Sequence, residues 1–390
     1  MTDTLAKKTW TKVTLAECCD EVARRIENPA QSGFDRFVGL EHLGTGEISI
    51  GRWGSTKDVT SSMKLFKAGD VIVARRNVYL RRASRADFDG VCSGDGIVLR
   101  GNPEVCLPEL LPFLLNTDSF WSYVTSQADG TMSKRITVKR LLSYEFALPL
   151  LGEQWRIAGV LQAATDVSET LSSSMRSAET LLRSAVDSAA KRAVDRQSVD
   201  PLAAIIDAER PICYGILMPG TGFKGGVPVV KVKDYPEGEI IVDGLLLTDP
   251  KIDNEYKRSR LRPGDLLISI RGTIGRLAFV PKSLDGANIT QDTARLSIRS
   301  EHDYRYVRAM LESTFVQRQI AAFTTGLAVK GINIGELRRI QIPMVSPEEQ
   351  QEVVKEVIAV RAAIQGIEER LDLSKTLRKA LLAEYLGGTA

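Results

Sequence analysis

The chain comprises 390 residues, of which 43% are hydrophobic and 26% charged, a balance that excludes a disordered or fibrous protein and gives room for about two to three domains. Its longest apolar runs, "LLPFLL" at 110–115 and "LLIS" at 266–269, fall far short of the roughly 20 residues a membrane helix needs, and the opening "MTDTLAKKTW" lacks the apolar core of a secretion signal; a cytoplasmic protein away from any membrane is expected. A net charge of +3 is too small to argue by itself for nucleic acid, and the five cysteines, at 18, 19, 92, 106 and 213, show neither C-x-x-C spacing nor an even number, so reduced, partly buried thiols are expected rather than a disulfide framework or zinc site.

From the N-terminus, short stretches rich in β-branched and aromatic residues, separated by Gly, Asp and Ser, read as strands: "RFVGLEHL" at 36–43, "GEISIG" at 46–51, "DVIVAR" at 70–75 and "DGIVLR" at 95–100. A helical segment, "PELLPFLLNTDSFWSYVTSQA" at 108–128, leads into a Gly-containing loop, then "LP", then Glu153-Gln154, where a long helix opens. Along that helix apolar or alanine positions fall at 157, 160, 164, 167, 171, 175, 178, 182, 185 and 189, the three-four spacing of a heptad seam. Pro201, after "KRAVDRQSVD", marks its end. Strand-like stretches then return at 227–235, 238–242, 265–272, 276–280 and 294–299, followed by a helical segment at 302–323, a similar loop, "IP" and Glu349-Gln350. The second long helix repeats the seam at Val353, Val357, Val360, Ile364, Ile367 and Leu371, with Leu377 and Leu381 continuing it less regularly.

The two halves are copies. "ADGTMSKRITVKRLLSYEFALPLLGEQ" at 128–154 aligns with "TTGLAVKGINIGELRRIQIPMVSPEEQ" at 324–350, pairing Gly130 with Gly326, Lys134 with Lys330, Ile136 with Ile332, Leu141 with Leu337 and Gln154 with Gln350 at a constant offset of 196 residues. "AGDVIVARR" at 68–76 and "PGDLLISIR" at 263–271 keep nearly the same spacing. A period this long exceeds the roughly 20 to 50 residues of solenoid repeats, so each copy should be a domain with its own core. The opening "WTKVTLAECCDEV" at 10–22 is answered only by the shorter "DPLAAIIDAE" at 200–209, which argues against strict symmetry.

A long helix with a half-apolar stripe is marginal alone in water, so the two helices should pair within the chain. At ~1.5 Å per residue, helices of roughly 35–45 residues would be roughly 50–65 Å long and would serve as a spacer. The expected fold is α+β (mixed α/β): a first domain at 1–151, a helical spacer at 152–200, a second domain at 201–346 and a second helical spacer at 347–390.

Catalytic chemistry is poorly represented. "GTGFKGG" at 220–226 lacks the Lys-Ser/Thr ending of a phosphate loop, and no G-x-G-x-x-G joins a strand to a helix. His42 and His302 are the only histidines, and both read as structural; "EYK" at 255–257 is a weak match to a nuclease E-x-K. The basic residues say more. "ARRNVYLRRASR" at 74–85 sets Arg75, Arg76, Arg81, Arg82 and Arg85 around Asn77 and Tyr79 with no acidic residue. Arginine can grip guanine or phosphate in bidentate fashion, asparagine can pair with adenine and tyrosine can pack on a sugar or base, so the loop suits DNA; a solvated basic loop, or one that binds an acidic protein, is the alternative. The matched segment "SIRGTIGR" at 269–276 keeps Arg271 but is otherwise different, and Thr273 and the loop residue Lys224 join the candidates. In the repeated loop, "SKR" at 133–135 and "VKG" at 329–331 offer Lys134 and Lys330 as phosphate contacts that fix position without reading sequence, with Arg135 a further DNA-binding candidate; an ordinary surface turn is the alternative.

With the duplication, the repeated loop and the two Glu-Gln helix starts in view, the chain resembles the specificity subunits of type I restriction-modification systems. "FVGLEHL" at 37–43, "GDVIVARR" at 69–76, "GDLLISIRGTIG" at 264–275 and "NITQD" at 288–292 carry the resemblance most specifically. It implies two tandem target-recognition domains, each followed by a long helix, the helices pairing as an antiparallel coiled coil. It further implies a non-catalytic reader of a bipartite double-stranded DNA target, working with two methyltransferase subunits and with restriction/translocase subunits. By the same resemblance this chain holds no cofactor or metal; S-adenosylmethionine, ATP and Mg belong to the partners, and a target adenine would be flipped into a partner's pocket. A specificity subunit serving a methyltransferase alone or another phage-defence complex shares these features.

Overall fold

The computed structural model describes residues 10–131, 133–326 and 330–387. Most of the opening "MTDTLAKKTW" and Val329 of the "VKG" triplet lie outside the described residues. The chain divides into two compact units, Met1–Ser173 with Glu368–Ala390, and Ser174–Ile367; the divisions fall within the long helices, not at their ends.

The first unit is organised by a four-stranded antiparallel sheet in the order Cys19–Glu21, Gly96–Gly101, Val71–Ala74, Ala83–Arg85. "VIVA" at 71–74 does not alternate in polarity because both faces are covered. Val71 and Val73 join a large core with Phe113, Phe120, Trp121 and Phe146, while Ile72 and Ala74 face a second core with Val38, Phe66 and Val98. That second core belongs to a five-stranded mixed sheet in which Arg36–Val38 runs parallel to Gly90–Cys92. The second unit repeats the plan: Cys213–Tyr214, Thr293–Leu296, Leu266–Ser269 and Leu277–Phe279 form the four-stranded sheet, with Leu266 and Ile268 on one core and Leu267 on the other. Here the smaller sheet has three strands, with Val227–Val230 between Leu246–Thr248 and Asn288–Ile289.

The repeated residues have matched physical jobs. In both copies the aspartate of "GD" ends a tight turn and is buried: Asp70 accepts from the Lys67 N–H at 2.8 Å and Asp265 from the Arg262 N–H at 2.7 Å. Each also takes a guanidinium from elsewhere in the fold, Arg100 on Asp70 and Arg210 on Asp265, through two charge-assisted bonds of 2.7 and 2.8 Å. The glutamines that open the long helices are buried clamps. Gln154 Oε1 accepts from the Leu107 N–H at 2.7 Å and its Nε2 donates to the carbonyls of Val105 and Pro149. Gln350 accepts from the Asp303 N–H at 3.2 Å and donates to the Val345 carbonyl.

The opening segments turn out to be equivalent despite their different lengths. Thr11–Thr14 pairs with Glu145–Leu148 and Val199–Pro201 pairs with Gln341–Pro343; directly afterwards the Leu15 N–H donates to the Tyr144 carbonyl and the Leu202 N–H to the Ile340 carbonyl.

Several sequence expectations need correction. "GEISIG" and "GEIIV" are not strands. Gly46 and Gly238 take φ of 68° and 86°, and only Ser49 forms a bridge, with Arg85, while Ile48 and Ile50 sink into cores; in the second stretch Ile240 packs against the smaller core while Ile241 and Val242 are exposed. The helical segment at 302–323 is two helices, Tyr304–Glu312 and Thr314–Phe323, because Ser313 takes an extended conformation and caps the second, accepting from the Val316 N–H. The first segment likewise splits, at Leu111–Leu114 and Asp118–Gln127.

The long helices are Leu151–Asp195 and Pro347–Tyr385. Within the first unit the Arg156 guanidinium lies 5.3 Å from the Tyr385 ring centre and Ser168 bonds Ser374 at 2.7 Å, so one helix ascends as the other descends. In the second unit Arg196 grips Glu349, and Val186, Ala189 and Ala190 share a core with Val353, Val354 and Val357. The pairing is antiparallel in each. The seam differs from the expected one: Val167 and Leu377 are 53% exposed, and Thr165, Ser168 and Ser374 are buried instead. Small hydroxyls can enter because Thr165 and Ser168 donate to the carbonyls of Leu161 and Ala164 one turn back. Among the described residues no helix is long and apolar enough to cross a membrane.

Candidate nucleic-acid interface

The two repeated loops are built alike. Asp129 and Arg135 exchange backbone hydrogen bonds of 2.9 and 2.8 Å, and Thr325 and Gly331 exchange two of 2.9 Å. Gly130 and Gly326 make the turns possible with φ of 105° and 113°, a region closed to side chains in practice. Each loop is stitched to the end of the central strand: the Ile136 N–H donates to the Arg75 carbonyl and the Ile332 N–H to the Ile270 carbonyl, both at 3.0 Å. Ile136 and Leu141, like Ile332 and Leu337, anchor the loops in the cores.

Arg76 and Arg271 occupy the same place in the two copies, bridged to Arg135 and Gly331 respectively. Each faces a carboxylate that local sequence does not reveal. Arg76 lies 3.2 Å from Asp95, which also stands 3.7 Å from Arg135, and Arg271 lies 4.0 Å from Asp292 while donating to Gln291 at 2.9 Å. Asp95 and Asp292 are fixed by the same backbone bond, their carbonyls accepting from the N–H groups of Arg75 and Ile270. These half-exposed pairs contribute little to stability; their effect is to hold the arginines in a defined place at the rim of the loop.

The remaining candidates separate. Asn77 and Arg81 bracket a short turn, Val78–Leu80, and both adopt left-handed backbone with φ of 52° and 49°. Such a conformation is uncommon for arginine and costs free energy that the surroundings must supply. Buried Val78, the Ser133 hydroxyl on Asn77 at 3.1 Å and the bond from the Gly46 N–H to the Arg81 carbonyl at 3.2 Å supply it. Tyr79 is consequently pushed outward, 59% exposed. Arg82 turns inward and donates to the Leu40 carbonyl, and burial holds its guanidinium below the usual value. Arg75 forms no ion pair among the described residues, and the buried Nε atoms of Arg75, Arg76 and Arg82 have no hydrogen-bond partner. The segment read as free of acid is therefore met by three acids from outside it, Asp87 on Arg85, Asp95 on Arg76 and Asp118 on Arg81. Lys134 is half-buried and Lys330 exposed, the latter's carbonyl accepting from the Gly272 N–H. Thr273 is exposed in the turn after the central strand, its carbonyl held by the Ser269 hydroxyl. Lys224 sits apart from Arg271 in sequence, on an exposed loop tied down by the Phe223 N–H to the Leu247 carbonyl; beside it Leu217, Met218 and Phe223 are 51%, 75% and 46% exposed, a feature the sequence reading passed over.

His42 has a structural role: its Nδ1 accepts from the Gly39 N–H at 3.0 Å and its ring packs edge-on against Phe37. "NITQD" is in part scaffold as well, since Asn288 is buried and bonded to Asp253 and Ser259. All five cysteines are free thiols.

Residues 221–372 match the family model described as the type I restriction modification DNA specificity domain. Over 193 residues the chain is 31% identical to the specificity subunit of the type I restriction enzyme EcoBI from Escherichia coli, a match covering 47% of this chain and 40% of that one. The similarity thus spans two fifths of the curated relative's length. Among solved structures, one of a type I R-M system, described in terms of its complex assembly and conformational transition, is similar with a TM-score of 0.57 at 22% identity, covering 98% of both chains. The type I restriction-modification S subunit from M. genitalium is similar with a TM-score of 0.57 at 16% identity, again over 98% of both chains. The chain shares, along almost its whole length, the fold of a solved type I restriction-modification S subunit, and its residues 221–372 match the model of the type I restriction modification DNA specificity domain.

Proposed function

We propose that the chain is the DNA sequence-reading subunit of a type I restriction-modification complex and does no chemistry itself. Each recognition domain, at 1–151 and 201–346, takes one half of a bipartite double-stranded target. The observation that carries this reading is the duplicated loop: one scaffold, with the same Gly turn and the same Arg–Asp pair, presents two different surfaces, Asn77, Tyr79 and Arg81 in one copy and Arg271, Thr273 and Lys224 in the other. A scaffold retained while its exposed side chains diverge is what reading two different short sequences requires. Lys134, Arg135 and Lys330 contact phosphate; Arg75 and Arg76 lie where base edges or phosphate can be met. On this reading two methyltransferase subunits flank the chain, flip and methylate adenines with S-adenosylmethionine, and restriction/translocase subunits supply the steps that use ATP and Mg.

Adenine methylation mapped across the genome of a host that expresses this chain with its neighbouring methyltransferase tests the proposal against the same host without the chain. A split motif that disappears with the chain is expected. Arg75→Ala with Arg76→Ala should relax one half of that motif and leave the other intact; unchanged target choice and affinity in this variant would overturn the assignment of the reading loop.

A further inference from the structure

The second unit contains a feature that the reading loops do not use. A cavity of about 350 Å³ is lined by six cationic side chains, Arg210, Lys257, Arg258, Arg260, Arg262 and Arg295. It opens at the start of the central strand Leu266–Ser269, whereas Arg271 and Thr273 follow that strand's other end. Only Glu209 and Asp285 in its lining are acidic. Two of the cations are answered from behind, Arg210 by Asp265 and Arg260 by Asp253. Six positive charges against these four negative ones leave two in excess.

Arg295 makes the excess costly. It is 2% exposed, its Nη2 donates to the Pro211 carbonyl at 3.1 Å and to the Cys213 sulfur at 3.6 Å, and its buried Nε has no partner. No carboxylate among the described residues pairs with it, and burial lowers its proton affinity. The carboxylate that acts on it, Asp265, is already taken by two bonds from Arg210, and a buried cation that shares its counter-charge with a second cation is unfavourable and favours an added anion. The scaffold does not require it. Arg295 pairs across the sheet with Leu267, and the matching pair in the first unit is Val98 with Ile72, where Val98 is fully buried in an apolar core. One copy of the fold is content with valine at the position where the other has buried a guanidinium.

We propose that this cavity is a binding site for a phosphate-class dianion, with Arg295 at its base and Lys257 and Arg258 at its exposed rim. The excess of two charges matches hydrogen phosphate or a terminal phosphate of a nucleotide, and planar guanidinium forks suit its oxygens. The site is separate from the reading loops, so its failure would leave the DNA-reading proposal untouched.

Titration calorimetry and thermal melting of the full chain with inorganic phosphate and pyrophosphate, against chloride at equal ionic strength, test it. Saturable binding and a raised Tm are expected in the wild type. Arg295→Val, which installs the sister copy's residue, should bind roughly ten- to a hundredfold more weakly while melting no lower than the wild type without phosphate. Should that variant fail to fold, Lys257→Ala with Arg258→Ala alters only exposed side chains and should weaken phosphate at least roughly tenfold. A wild type that responds to phosphate no more than to chloride, or variants that bind it unchanged, would overturn the proposal. A short duplex competing with phosphate would identify the DNA backbone as the source of the group; phosphate binding unaffected by duplex would identify a free small molecule.

Discussion

Gln154→Ala should destabilise the first unit far more than an average substitution does. The side chain is 1% exposed, and its loss strands the Leu107 N–H and the carbonyls of Val105 and Pro149. An unsatisfied buried N–H costs about 1–3 kcal/mol, and with two weakened carbonyls and a small cavity the total is about 3–5 kcal/mol. Gln350→Ala breaks one long bond of 3.2 Å and one of 3.0 Å and should cost about 2–3 kcal/mol in the second unit. The chain supplies its own probe, because Trp10, Trp53, Trp121 and Trp155, all the tryptophans it has, lie in the first unit. Urea unfolding followed by tryptophan fluorescence therefore reports that unit, and far-ultraviolet circular dichroism reports both. With m of about 2–3 kcal/mol/M, Gln154→Ala should lower the fluorescence midpoint by roughly 1–2 M, and Gln350→Ala should move only the circular dichroism transition. If Gln350→Ala moved the fluorescence midpoint as far as Gln154→Ala, or if neither moved it, the view of two clamps acting on two separate cores would be refuted.

Three further outcomes are expected. Gly130→Ala and Gly326→Ala force a side chain into φ above 100° and should each cost about 1–3 kcal/mol, and on the proposed function each should loosen duplex binding in a gel-shift titration; unchanged melting would show that the turns can relax. Asp265→Asn should lower Tm more than Asp70→Asn, because Arg210 is 14% exposed on its side chain and Arg100 47%; equal shifts in calorimetry would contradict this. The Cys19 and Cys92 thiols are pushed up to about 12 by burial, so in the folded chain neither should react with a disulfide reagent at pH 8, and both should react in urea. Because the unfolded thiols ionise near 9 and the folded ones only near 12, their contribution to stability is complete below pH 9 and lost as pH rises towards 12; a flat unfolding midpoint across that window would show another group compensating.

The sequence by itself determined the duplication, and with it the plan of the fold. Gly130 and Gly326, Asp70 and Asp265, and Gln154 and Gln350 recur because each solves a local problem with few solutions: a positive φ, a turn with buried donors, a helix start that must satisfy orphan groups. The helical pairing was legible for the same reason, since an apolar stripe needs a partner. What the tertiary structure alone decided depends on groups far apart in the chain. Asp95 and Asp118 reach Arg76 and Arg81, Gln291 reaches Arg271, and the seam admits Thr165 and Ser168 because carbonyls one turn back take their protons. "GEISIG" has strand-like composition yet bridges only at Ser49, since a strand is made by a neighbour and not by its own residues. Arg295 shows the same limit most clearly. In the sequence it is one arginine in "ARLSIR"; only the packing of Pro211 and Cys213 against it, where Val98 lies in the sister copy, makes it a buried charge.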